Sequence, residues 1–385
     1  MIKTLTSATA ISLMALLSAG AADAPPAKAA TAATVAPGPK VADIKTGSLT
    51  NRLPAGSRTA VLVKVDKLLA SDFYKQVCAS FPEFPMALAV LEAQYQVPVK
   101  NIRQLVYFNG DNNRNGAVLF ELNKLPETEF SKRVAKLQAN KDTVKPVEGL
   151  AVPGIQSLES RTAKIGNRTA YLISGQSAEG AERRTIGVVY LAPDIAVAAE
   201  EDALSAYLNA APLGAAEQST LFVSDPNPEN VAEVGFIAPP RNERKKQKNI
   251  AFGAVRQLES LQASCRLGGE NVITIDGLGV MRDEKSAANA MMGLNGLIFM
   301  GMGVFFAENQ QLGDELLNNL SLIPEGRNIT GNLFLKETQL KNLLEYSKKR
   351  IPQLLMPPDE PVGAVEIPAD PPAKTPARTG GAVKP

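Results

Sequence analysis

The chain of 385 residues contains no histidine. Imidazole is the one side chain whose ordinary pKa lies near neutrality, so its absence removes Ser-His-Asp and Cys-His nucleophiles, His metal ligands and His proton shuttles. Tryptophan is also missing and aromatic residues make up 5% of the chain, which leaves little to line a sugar-stacking cleft. Lys and Arg exceed Asp and Glu by 41 − 39 = 2, a balance that argues against nucleic acid as a partner and against a dedicated membrane-surface role. The motifs G-x-S-x-G, S-x-x-K, G-x-x-x-x-G-K-[ST] and G-x-G-x-x-G do not occur, so the common nucleophile elbow and phosphate loops are excluded with them. The two cysteines, Cys78 and Cys265, sit among apolar neighbours. They read as buried free thiols, with a disulfide between them as the alternative in an oxidising compartment.

What the chain has is a start built for export. Met1-Ile2-Lys3 is short and basic, and Leu5 to Leu17 is apolar or small without a charge, the pattern of a secretory signal rather than of a membrane span. Cleavage is expected after Ala19-Gly20-Ala21, giving a signal peptide over 1–21, with Ala22-Asp23-Ala24 as the other small-x-small site. No cysteine lies near either site, so no lipid anchor is expected and the mature protein is placed in the periplasm or outside the cell. Five of the prolines fall in residues 22–54 and nine in 352–385. Both stretches otherwise offer little to bury, so they read as an Ala/Pro-rich linker and a disordered Pro-rich tail.

Between these ends the pattern is α+β. A strand is predicted over Thr59 to Val65, helices over Lys67 to Ser80 and Met86 to Gln96, and a hairpin of Arg103 to Phe108 with Ala117 to Leu122. A helix follows at Glu127 to Ala139. Next come hairpins around Gly166-Asn167 and Pro193-Asp194, then a helix opened by Glu200-Glu201-Asp202. Leu258 to Leu267, Val272 to Met281 and a helix from Asp283 parallel the first hairpin and its helix, and the pair around Glu325-Gly326-Arg327 parallels the pair around Gly166-Asn167. The expected architecture is therefore two similar α+β halves, residues 55–212 and 213–351, each an antiparallel sheet of hairpins packed with helices.

This layout, together with Val97-Pro98-Val99-Lys100-Asn101-Ile102 leading into a strand, resembles a group of secreted bacterial proteins that carry a duplicated α+β body. The group has no assigned activity, so the resemblance implies a fold and a location but no catalytic residues.

Three segments carry chemistry of their own. Asp111-Asn112-Asn113-Arg114-Asn115-Gly116 matches the first half of a calcium loop, with Asp111, Asn113 and Asn115 as ligands. Position twelve is Leu122 rather than Glu, and the same residues also suit a plain hairpin turn. The second segment is basic: Arg241, Arg244, Lys245, Lys246 and Lys248 lie within eight residues. They read either as a solvated loop or as a patch for anionic envelope polymers. The third is Ser286 to Ala307, which has no charge over 22 residues and reads as a core helix buried on most sides, with no stable membrane span once the signal is removed.

The expectation is a non-catalytic exported protein that binds or scaffolds in the cell envelope, with an envelope protein or polymer as partner and no cofactor beyond the calcium alternative. The other classes left open are a carboxylate-dependent secreted hydrolase, which would need two acids about 5–9 Å apart in a pocket, and a calcium-dependent binding module of weak affinity.

Overall fold

A computed structural model describes residues 40–44, 48–82, 84, 85, 88, 89, 92, 95–110, 116–139, 155–177, 184–222, 229–238, 257–268 and 272–355. The fold class is α+β. Its centre is one antiparallel sheet of twelve strands: β1 (Ser57–Val63), β2 (Ile102–Gly110), β3 (Ala117–Leu122), β4 (Ile155–Ile165), β5 (Arg168–Ser177), β6 (Arg184–Ala192), β7 (Ile195–Glu200), β8 (Asn230–Ile237), β9 (Leu258–Gly268), β10 (Val272–Met281), β11 (Leu320–Glu325) and β12 (Asn328–Leu335). The spatial order is β11-β12-β10-β9-β8-β1-β2-β3-β7-β6-β5-β4. The two halves therefore share a single sheet rather than owning one each. They meet where β1 pairs antiparallel with β8, Val61 opposite Val234.

Outward from that seam the order is symmetric through β1-β2-β3 and β8-β9-β10. Beyond it the pairing of hairpins differs from expectation. The β11–β12 hairpin docks β12 against β10, as the β6–β7 hairpin docks β7 against β3. The topological counterpart of the pair around Gly326 is thus the pair around Pro193-Asp194, and the pair around Gly166 is an additional hairpin that lengthens the first half. Gly166 and Gly326 sit at φ of 60° and 57°, the left-handed region that glycine enters without a Cβ clash.

Among the described residues eight continuous helices accompany the sheet: α1 (Val65–Ala70), α2 (Asp72–Ser80), α3 (Glu127–Ala139), α4 (Glu201–Asn209), α5 (Ala215–Leu221), α6 (Glu284–Phe305), α7 (Gln310–Asn318) and α8 (Glu337–Leu355). The single helix expected over Lys67 to Ser80 is two. Ser71 breaks it, because its extended backbone and its Oγ, which accepts from the Tyr74 N–H at 3.1 Å, make it a new N-cap.

Side-chain alternation splits the core in two. Ala60, Leu62, Val106, Phe108, Leu119, Leu172 and Val197 face one side with α4 and α5. Val61, Val63, Leu105, Val118, Phe120, Ile173 and Val188 face the other with α1 and α3. The first half is covered on both faces, so β7 reads as five successive apolar residues and β3 as four before Glu121, instead of alternating. In the second half the apolar groups, among them Ile273, Leu335, Val77, Leu312 and Leu340, and Met281, Ala287 and Ile329, all belong to the second of these faces.

Two boundaries move. Residues 41–43 and 49–52, assigned by composition to a linker, form short 3-10 turns in which Val41, Leu49 and Leu53 are fully buried. Their apolar side chains fill the first face beneath α4. At the other end, α8 runs through Pro352 to Leu355, past the predicted start of the tail. The apolar segment over 286–307 is helical up to Phe305, but its described part is packed on one side only. Ala287 and Ala290 are buried against the sheet, whereas Met292 is 69% exposed. No helix among the described residues is long and apolar enough to cross a membrane.

Candidate functional site

The residues predicted to bind ions do not enter this architecture's described part. Asp111, Asn113 and Asn115, and the basic group Arg241, Arg244, Lys245, Lys246 and Lys248, lie outside the described residues. Among the described residues no group of three or more acidic, cysteine or histidine side chains is placed to hold a metal. The two cysteines are free thiols that pack against the same apolar group. Burial raises the Cys265 thiol to about 11, so it stays protonated and inert at neutral pH.

The feature that stands out is a cavity on the face covered by α1 and α3. Its volume is about 70 Å3, and it is lined by α1, by Tyr74 of α2, and by Phe84, Leu88, Glu92 and Tyr95. Its floor is formed by Ile102 and Leu105 of β2 and Phe120 of β3. Each part has a local cause. Phe84, Leu88, Glu92 and Tyr95 are helical and spaced at four, four and three residues, which places them on one helix face. Gln96 then takes a φ of 57°, ending that helix and turning Val97-Pro98-Val99 back toward β2. The hairpin register sets Leu105 opposite Phe120, so both point into the floor. Rings close the walls: Tyr95 meets Phe120 edge-on at 5.9 Å and Tyr74 meets Phe84 at 6.1 Å.

The surface of the cavity is almost wholly apolar. Glu92 is its single carboxylate, and Glu92 Oε1 accepts from the Val99 N–H at 2.7 Å. That bond fastens the wall rather than presenting an acid to a substrate. Burial drives the two lining tyrosines, Tyr74 and Tyr95, up to about 12, so both hydroxyls remain neutral. Among the described residues the cavity thus holds no charge that is free to recognise a polar ligand. A space of this size and lining favours apolar atoms over water, which needs two to four polar partners to stay.

Sequence reasoning missed this site although the signal was present. The apolar spacing over Met86 to Gln96 predicts a helix there, but nothing in a linear pattern shows that two helices meet a strand face without filling it.

A second surface lies on the opposite face of the second half. Arg266 Nη2 donates to Asp276 Oδ2 at 2.8 Å, and Asn332 Nδ2 donates to Asp276 Oδ1 at 2.7 Å. Around this network Ile323 and Phe334 are exposed at 52% and 37%.

No family profile and no curated protein matches this chain. One similar solved structure is the Treponema protein TP0453 in its crystal form I, at 10% identity and a TM-score of 0.37 over 79% of this chain and 96% of that one. A likeness this distant carries no argument about function.

Proposed function

We propose that this chain is an exported, non-catalytic binding protein of the cell envelope and that its ligand is an alkyl or acyl chain held in the cavity beside α1 and β2. The observation that carries the reading is the cavity's lining of Val, Leu, Ile and aromatic carbon with one carboxylate already bonded to backbone. Export rests on the signal pattern of residues 1–21, and the absence of histidine supports a non-catalytic role. A hydrolase acting in this cavity would need a second acid facing Glu92, and among the described residues none lines it.

The test is a titration of the purified protein with a fluorescent dodecanoic acid probe. Saturable binding in the micromolar range is expected. Leu88→Trp, which places an indole in the cavity, should weaken it by about tenfold or more, in line with the loss of one to two kcal/mol of apolar contact. Absence of saturation, or unchanged affinity in a Leu88→Trp protein that melts like wild type, overturns the reading.

A further inference from the structure

Among the described residues two charged side chains are buried, Arg52 and Glu233. Glu233 has a partner, since its Oε1 accepts from Asn230 Nδ2 at 3.3 Å. Arg52 is different: it is 0% exposed, and its Nε, Nη1 and Nη2 are all buried without a hydrogen-bond partner. The cost of that arrangement is several kcal/mol for a cation taken out of water. A lysine would escape by losing its proton, but a guanidinium does not deprotonate.

The position is held firmly. Arg52 closes the 3-10 turn Leu49–Arg52, and its backbone oxygen accepts from the Tyr207 hydroxyl of α4 at 3.0 Å. Leu49 and Leu53 are buried on either side of it in sequence. Arg168 lies close enough to add its field, and its own N–H groups are spent on neutral acceptors: Tyr190 O, Leu191 O and Ala42 O. Burial pulls the Arg52 guanidinium below its ordinary value, Tyr207 and Asp194 oppose this and Arg168 reinforces it. Asp194 is exposed and makes no hydrogen bond to the Arg52 guanidinium. Two fixed positive charges thus share the site, and Asp194, whose charge opposes them, stands in solvent.

We propose that the Arg52 guanidinium, with Arg168 beside it, forms an oxyanion site under the turns of residues 40–44 and 48–54, taking a carboxylate or phosphate group. The argument is geometric. A guanidinium presents its donors as a planar fork, which two oxygens of a carboxylate or phosphate match and a spherical halide does not. The site belongs with the core of α4 and α5, on the face of the sheet opposite the apolar cavity, so it stands or falls independently of the acyl-chain reading. The covering turn is pinned by the Val41 N–H donating to Ala210 O at 3.0 Å. Docking of that turn and uptake of the anion therefore support each other.

The test is a set of thermal melts of the full chain in sodium phosphate, sodium acetate and sodium chloride at matched ionic strength, with hydrogen exchange at Val41 as a second readout. Phosphate or acetate should raise the melting temperature above that in chloride and slow exchange at Val41. Arg52→Met should abolish both differences. Arg52→Lys, which keeps the charge but not the fork, should retain only a small part. Asp194→Asn removes an opposing charge without touching the fold's interior, and should lower the anion concentration at half-effect by about threefold at low salt. Equal melting in all three salts, an oxyanion effect that survives in Arg52→Met, or no change in the half-effect concentration in Asp194→Asn overturns the proposal. Which of phosphate and acetate acts at the lower concentration identifies the group that the site prefers.

Discussion

The two halves of the sheet are built from similar strands but are dressed differently. From β1 to β7 both faces are covered, by α1 and α3 on one side and by α4, α5 and the turns of residues 41–43 and 49–52 on the other. From β9 to β11 the buried apolar clusters lie on one face, under α2 and α6 to α8. On the other face of that half no described helix lies beyond α5, and the strands show Asp276, Thr330 and Asn332. The comparison teaches that the interior of this protein, and both sites proposed for it, belong to the doubly covered half. The singly covered half acts as a sheet with one dry side. Strand sequences record the difference: Ile195–Glu200 is apolar in five successive positions, whereas Asn328–Leu335 alternates.

The sharpest way to break the comparison is at its border, where α5 ends the second layer. Gly235 of β8 lies directly beneath that helix, and a Cβ there would stand 1.8 Å from the Leu221 backbone oxygen. Gly235→Ala is expected to cost on the order of 3–5 kcal/mol or to prevent folding, because backbone rather than a flexible side chain must move. Urea unfolding monitored by circular dichroism measures it.

A smaller effect should come from alkaline pH. Burial raises Tyr95 to about 12 and also raises Tyr171, Tyr190 and Tyr207, all in the doubly covered half. The unfolded chain releases these protons near pH 10, before the folded chain does. Stability is therefore full below about pH 9 and falls as pH climbs toward 12, by roughly 2 kcal/mol for a group shifted as far as Tyr95. Denaturant midpoints across that range check it, and Tyr95→Phe should flatten the slope.

The smallest effect is expected on the open face. Ile323 of the edge strand is 52% exposed, so Ile323→Lys should change stability by no more than about 0.5 kcal/mol. A larger loss would show that this face is covered in the folded protein and would erase the contrast between the halves.

Much of this layout was legible before the structure. The hairpins at Gly166-Asn167 and Glu325-Gly326-Arg327 announce themselves because a left-handed turn needs glycine, and the helix from Glu127 because Phe130, Val134 and Leu137 share a face. What was not legible was pairing across distance. Nothing local says that β8 joins β1, and Asn230–Ile237 was absent from the expected elements although Val231 and the alternating Glu233 and Phe236 carry a strand pattern. Nor does composition reveal that Ala- and Pro-rich sequence near Val41 and Leu49 is buried, since two or three apolar anchors suffice to dock a turn. The cavity escaped for a related reason: volume left between elements has no sequence signature.

The seam between β1 and β8 has a kinetic consequence. Val61 and Val234 are partners across 234 − 61 = 173 residues, so the centre of the sheet closes only after most of the chain has been made. Until Asn230–Ile237 arrives, β1 presents a bare hydrogen-bonding edge with buried-type residues on both sides. A chain interrupted before that strand would carry an open sheet edge, the state most prone to pair with another copy of itself, and refolding from denaturant should be slow and concentration-sensitive.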